Sequence, residues 1–92
     1  MTLNDTIGFM NSDDYKKRFI AEYWQTKIRY EKLKHLVYTI ELKDYYSYKS
    51  DDDIKYNCSP NLLNQQLDDM ANYLKVLEMR AVVEKIDLNT IS

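Results

Sequence analysis

From residue 15 onward, apolar side chains recur at alternating spacings of three and four. Phe19, Tyr23, Thr26, Tyr30, Leu33, Val37 and Ile40 form one such line, and Leu63, Leu67, Met70, Leu74, Leu77 and Ala81 form a second. That period keeps every member on one side of an α-helix and makes a heptad-like seam. The pattern predicts a first helix over residues 13–43 and a second over 59–88, about 30 residues and so roughly 45 Å each. Ser12, Asp13 and Asp14 suit the first helix start, a hydroxyl cap followed by carboxylates at the positive end of the dipole. Ser59 followed by Pro60 marks the second, because proline at the first helical position gives up an N–H that has no partner there. Two seams of equal length bury best against each other. The expected fold class is therefore all-α, an antiparallel hairpin of two long helices in a single domain.

Neither end of this pattern is exhausted by the hairpin. Ile20, Trp24 and Ile28 make another stripe on the first helix, and Leu62, Tyr73, Val76, Met79, Val83 and Ile86 widen the buried face of the second. A pair of helices cannot cover both. Three coverings are open: the amino-terminal arm of residues 1–12, with Leu3, Ile7, Phe9 and Met10, folding back; a second copy, making a dimeric four-helix bundle; or a foreign partner. A homo-oligomer, with a dimer foremost, is the expectation. Gly8 and Pro60 are the only Gly and Pro in 92 residues and are expected to lie outside helix interiors.

Between the seams, residues 44–58 lack apolar period and mix Asp, Ser and Asn with Tyr45, Tyr46, Tyr48 and Tyr56. A connection of this length exceeds the two to about eight residues usual between paired helices, and such loops tend to carry function. Tyrosine offers large contact area at low entropic cost, so these four are candidate partner-binding residues. Trp24, the only tryptophan, joins them. Tyr23, Tyr30 and Tyr73 fall at helical spacing and read as core residues with hydroxyls at the edge.

Charge changes the picture modestly. The net charge of −2 argues against direct nucleic-acid binding, which calls for a strongly basic domain. Yet between Tyr15 and Lys43 eight Lys or Arg stand against Glu22, Glu31 and Glu41. A basic first helix can attract the acidic second one. Alternatively Arg18, Arg29 and Lys32, which with Gln25 line one side of the first helix, are candidates for holding phosphates or acidic side chains.

Catalytic inventory is thin. His35, the single histidine, falls on an outward face among lysines, and Cys58, the single cysteine, excludes an internal disulfide. Asp51, Asp52 and Asp53 lack the glycine and terminal glutamate of a calcium loop. With no phosphate-loop, nucleophile-elbow or zinc-protease motif, the chain reads as a non-enzyme without metal or cofactor. Nothing approaches the length of a membrane span, and no amino-terminal leader is apparent, so a cytoplasmic location is expected.

Asp14-Tyr-Lys-Lys-Arg-Phe-Ile-Ala-Glu-Tyr-Trp24 and Arg29-Tyr-Glu-Lys-Leu33, with Cys58-Ser-Pro-Asn-Leu-Leu-Asn-Gln-Gln-Leu-Asp-Asp-Met70 and Tyr73-Leu-Lys-Val-Leu-Glu-Met-Arg-Ala81, resemble a family of small helical-hairpin proteins of tailed phages and prophages related to crAss-like phages. The resemblance spans roughly residues 13–88 and rests on packing patterns. It implies a phage accessory protein. By analogy its foremost expected role is counter-defence, binding a host immune effector such as a CRISPR nuclease. The alternatives are an oligomeric sponge for a nucleotide immune signal, with Arg18, Arg29 or Lys32 on phosphates and Tyr or Trp on the base, and a self-associating scaffold.

Overall fold

A computed structural model of the chain describes residues 1–46 and 58–90, excepting the side chains of 44–46. It contains three helices: α1 over Leu3–Met10, α2 over Tyr15–Tyr46 and α3 over Pro60–Glu84. Among the described residues there is no strand, so the all-α class holds. α2 is the central element, and α1 and α3 each pack on it rather than on each other.

The amino-terminal segment is a helix and not a plain arm. Thr2 and Asp5 form a reciprocal cap: the Thr2 hydroxyl accepts from the Asp5 N–H at 3.3 Å, and the Asp5 carboxylate accepts from the Thr2 N–H at 2.9 Å. Hydrogen bonding to the carboxyl from the Thr2 backbone N–H first, and then from the Thr2 side chain, holds Asp5 below its ordinary range. Gly8 consequently lies inside a helix, against expectation. A side chain there would meet nothing within 4 Å, so glycine is not required by space.

α1 buries Thr6 and Phe9 against α2. The Thr6 hydroxyl donates to the Leu3 carbonyl at 2.6 Å and accepts from Gln25 Nε2 at 3.0 Å, which makes its complete burial tolerable. Leu3, Ile7 and Met10 stay exposed. Of the coverings open to the Ile20, Trp24 and Ile28 stripe, the structure uses the amino-terminal segment, joined by a carboxyl-terminal tail.

α2 begins two residues later than expected and runs three residues further. Ser12 Oγ accepts from the Asp14 N–H, and the Asp14 carboxylate accepts from the Lys16 N–H at 2.9 Å, so Asp14 provides the final cap. Ser59 caps α3 as predicted, accepting from the Leu62 N–H, with Pro60 at the first position. α3 stops at Glu84 because Lys85 adopts the left-handed conformation, φ 58° and ψ 46°. The Ile86 N–H then donates back to the Ala81 carbonyl at 2.8 Å, and Ile86 is buried in the core. This is the hydrogen bond and apolar contact of a Schellman ending, and it turns residues 85–90 back over α2.

α2 and α3 run in opposite directions, as their cross-contacts require: Tyr15 meets Glu84, Tyr23 meets Glu78, and Val37 packs with Leu63. The inner seam of α3 is buried or half-buried at every predicted position. Leu62, Tyr73, Val76, Met79 and Val83 are not. They were expected to widen the buried face but are exposed, since α2 covers only one side of α3.

Candidate functional site

Each sequence candidate has a distinct fate. Arg18 is exposed and spends its guanidinium on the turn before α2, with Nη1 donating to the Ser12 carbonyl at 2.9 Å. Arg29 and Lys32 are exposed further along the helix and enter no salt bridge among the described residues. Tyr45 and Tyr46 belong to the last turn of α2 and not to a loop. Tyr48 and Tyr56 lie outside the described residues, as do Asp51, Asp52 and Asp53.

Trp24 is the candidate that the fold builds into something. It is half-buried, and its ring meets Tyr23 edge-on with centroids 5.4 Å apart. The indole Nε1 donates to the Leu88 carbonyl at 2.6 Å, tying α2 to the chain beyond α3. Beside this tie lies an open groove of about 470 Å³. Its walls come from α2 through Tyr23, Trp24 and Lys27, from α3 through Glu78 and Val82, and from the tail through Ile86 to Asn89.

The polar groups around the groove are partly committed. Tyr23 donates its hydroxyl to Glu78 at 2.8 Å. Burial, with that carboxylate as acceptor, pushes the phenol up to about 12, so it remains protonated and a donor. The Asp87 carboxylate accepts from the Asn89 N–H at 2.9 Å within the tail turn. Lys27 has no such partner among the described residues and is the one cation lining the groove. The arrangement offers the half-buried Trp24 ring, aliphatic walls, one ammonium group and the carboxylates of Glu78 and Asp87, which suits a flat molecule with polar substituents.

Trp24 does not share a surface with Arg18, Arg29 and Lys32. At about 100° per residue, those three point roughly 80–140° around α2 from it. The sequence missed Lys27, Val82 and the tail as site residues. Lys27 looked like one solvated lysine among eight cations, and Leu88 is 64 positions from Trp24.

Tyrosine supplies a second feature. Besides Tyr23 to Glu78, Tyr15 donates to Glu84 at 2.9 Å and Tyr73 donates to Glu22 at 3.2 Å. Arg80 adds a donation to the Tyr15 hydroxyl and stacks over Phe19 at 5.0 Å. Three phenols therefore clasp α2 to α3. The phenols of Tyr15 and Tyr73 are also raised, Tyr15 first by its bond to Glu84 and Tyr73 first by burial.

Residues 13–83 match the family model described as Sequestin. The match takes in all of α2 and all but the last residue of α3, whereas α1 and the tail that completes the groove fall outside it. No curated protein and no solved structure matches the chain.

Proposed function

This chain belongs to the Sequestin family, and we propose that it acts by sequestration, holding a small molecule one-for-one without converting it. The observation that carries this reading is the groove beside Trp24, a largely apolar recess lined by one ammonium group and two carboxylates. The ligand class it suits is a nucleotide, with the base against Trp24, a phosphate near Lys27 and the Glu78 and Asp87 carboxylates left for its donor groups. In the phage or prophage setting implied by the resemblance, that nucleotide is an immune signal of the host. Removing it from solution silences the effector that it would activate. Support for sequestration over direct capture of an effector comes from the family description and from a recess of small-molecule size.

Trp24 makes the test direct, because it is the only tryptophan in the chain. Titration of the purified protein with a panel of linear and cyclic nucleotides should change its fluorescence to saturation at a fixed stoichiometry. Heating the complex should release the nucleotide chemically intact. Trp24→Ala should lose binding by about tenfold or more, the loss of a stacked base being worth ~1–3 kcal/mol. A converted product would replace sequestration with catalysis. A stoichiometric host protein in pulldowns, with no small molecule retained, would replace it with an effector-binding inhibitor.

A further inference from the structure

The centre of the outer face of α3 is bare in the monomer. Val76, Met79 and Val83 follow one another at spacings of three and four on the side away from α2, with Gln65, Asp69 and Asn72 continuing the line toward the amino end. Tyr73 and Val82 flank it. Exposure of the five apolar members ranges from 44% at Tyr73 to 80% at Val83. No described element packs there: α1 reaches only α2, and the tail turns toward Trp24.

This line keeps heptad spacing, with Asp69, Val76 and Val83 at one core position and Gln65, Asn72 and Met79 at the other, so its apolar half lies toward the carboxyl end. Seams of that spacing accept another helix of the same spacing, and this chain carries one. Orientation follows from charge. A parallel pairing sets Lys75 of one copy beside Arg80 of the other, a like-charge contact at the flank. An antiparallel pairing instead sets Val76 against the partner's Met79, Val83 against the partner's Asn72, and Arg80 beside the partner's Tyr73. The same residues recur in reverse, so the contact is self-complementary and closes with two copies. The apolar members leave roughly 500 Å² bare, near the upper limit of the largest patch on a monomer and short of the ~800 Å² per partner of a standard interface. The flanking Lys75, Arg80 and Gln65 must supply the remainder, which makes the association modest in strength.

We propose that the outer face of α3 is a self-association surface, on which a second copy of this chain lays its own α3 antiparallel. The proposal does not rest on the sequestration reading. Light scattering of the full chain should give twice the single-chain mass at about 100 μM and fall toward the single-chain mass near 1 μM, as suits an interface of that size. Met79→Glu should weaken the dimer at least about tenfold, as burial of a charge in the seam centre requires. Its circular dichroism should be unchanged, since Met79 is 59% exposed on its own chain. Spin labels on the native Cys58, which is exposed and sits just before α3, report orientation. At ~1.5 Å per residue they should stand roughly 60 Å apart in the antiparallel pair, against about 10–20 Å in a parallel one, where helix axes are 8–10 Å apart. A single-chain mass at every concentration, an unaffected Met79→Glu dimer or a short label distance would each overturn the proposal.

Discussion

Where α2 and α3 meet beside α1, nine buried side chains from Phe9 to Ile86 form one cluster, with Met1, Trp24, Tyr30 and Leu88 packed around it. At the other end of the same two helices only Val37, Ile40 and Leu63 are buried together, next to a recess of about 90 Å³. The seam residues are of similar kind at both ends. The difference comes from what is added: α1 and the tail cover the back of α2 at the first end, and the three tyrosine clasps all fall there. A helical pair of uniform pattern thus becomes a molecule with a firm end, which carries the groove, and a loosely supported end.

The sharpest break in that contrast is a matched pair of truncations. Leu77, 2% exposed in the large cluster, should cost about 3–5 kcal/mol as Leu77→Ala, and Leu63, 7% exposed beside the recess, about 2–3 kcal/mol, both read by urea denaturation. Equal losses would mean that the ends are equally well packed. Next in size, Tyr23→Phe should cost about 1 kcal/mol, the net worth of a hydrogen bond whose partner carboxylate remains hydrated. The same variant tests a pH dependence. With its phenol raised to about 12 in the fold against 10 when unfolded, Tyr23 contributes stability that is complete below pH 10 and lost as pH rises through 12. Denaturation midpoints between pH 10 and 12 should therefore fall less steeply in Tyr23→Phe than in the parent chain. The smallest effect expected is a gain. Gly8→Ala should stabilise the firm end by up to ~1 kcal/mol, because Gly8 is helical and the added methyl meets open space.

The long helices were legible because a three-and-four spacing over twenty or more residues has one physical reading, and Ser59-Pro60 fixed the start of α3 almost to the residue. α1 was not legible. Its eight residues hold Gly8, and its only signal was Thr2 with Asp5 at cap spacing, where the usual partner is glutamate or glutamine. The turn after α3 was hidden for a similar reason, since Lys85 takes a conformation that sequence reading assigns to glycine or asparagine. Of the candidate site, Trp24 was named from its chemistry. Lys27 and the tail were not, because the groove joins segments whose proximity depends on that turn. The exposed stripe on α3 was visible as surplus apolar residues, but only the packing of α1 on α2 alone shows which surplus is left over.

The three tyrosine clasps have a consequence for how the helices respond to their medium. Both ion pairs among the described residues, Glu31 with Lys34 at 3.9 Å and Arg80 with Glu84 at 3.0 Å, lie within a single helix. Across the α2–α3 boundary three contacts join a neutral phenol to a carboxylate, and Arg80 meets the Tyr15 hydroxyl and the Phe19 ring, so each pairs a charged group with a neutral one and the helices are not held by opposite charges in contact. Screening shortens from about 10 Å at 0.1 M salt to about 3 Å at 1 M and weakens ion pairs, but it takes little from a short hydrogen bond with one neutral partner. The helices should stay paired, with an almost constant melting temperature, across that whole range of ionic strength.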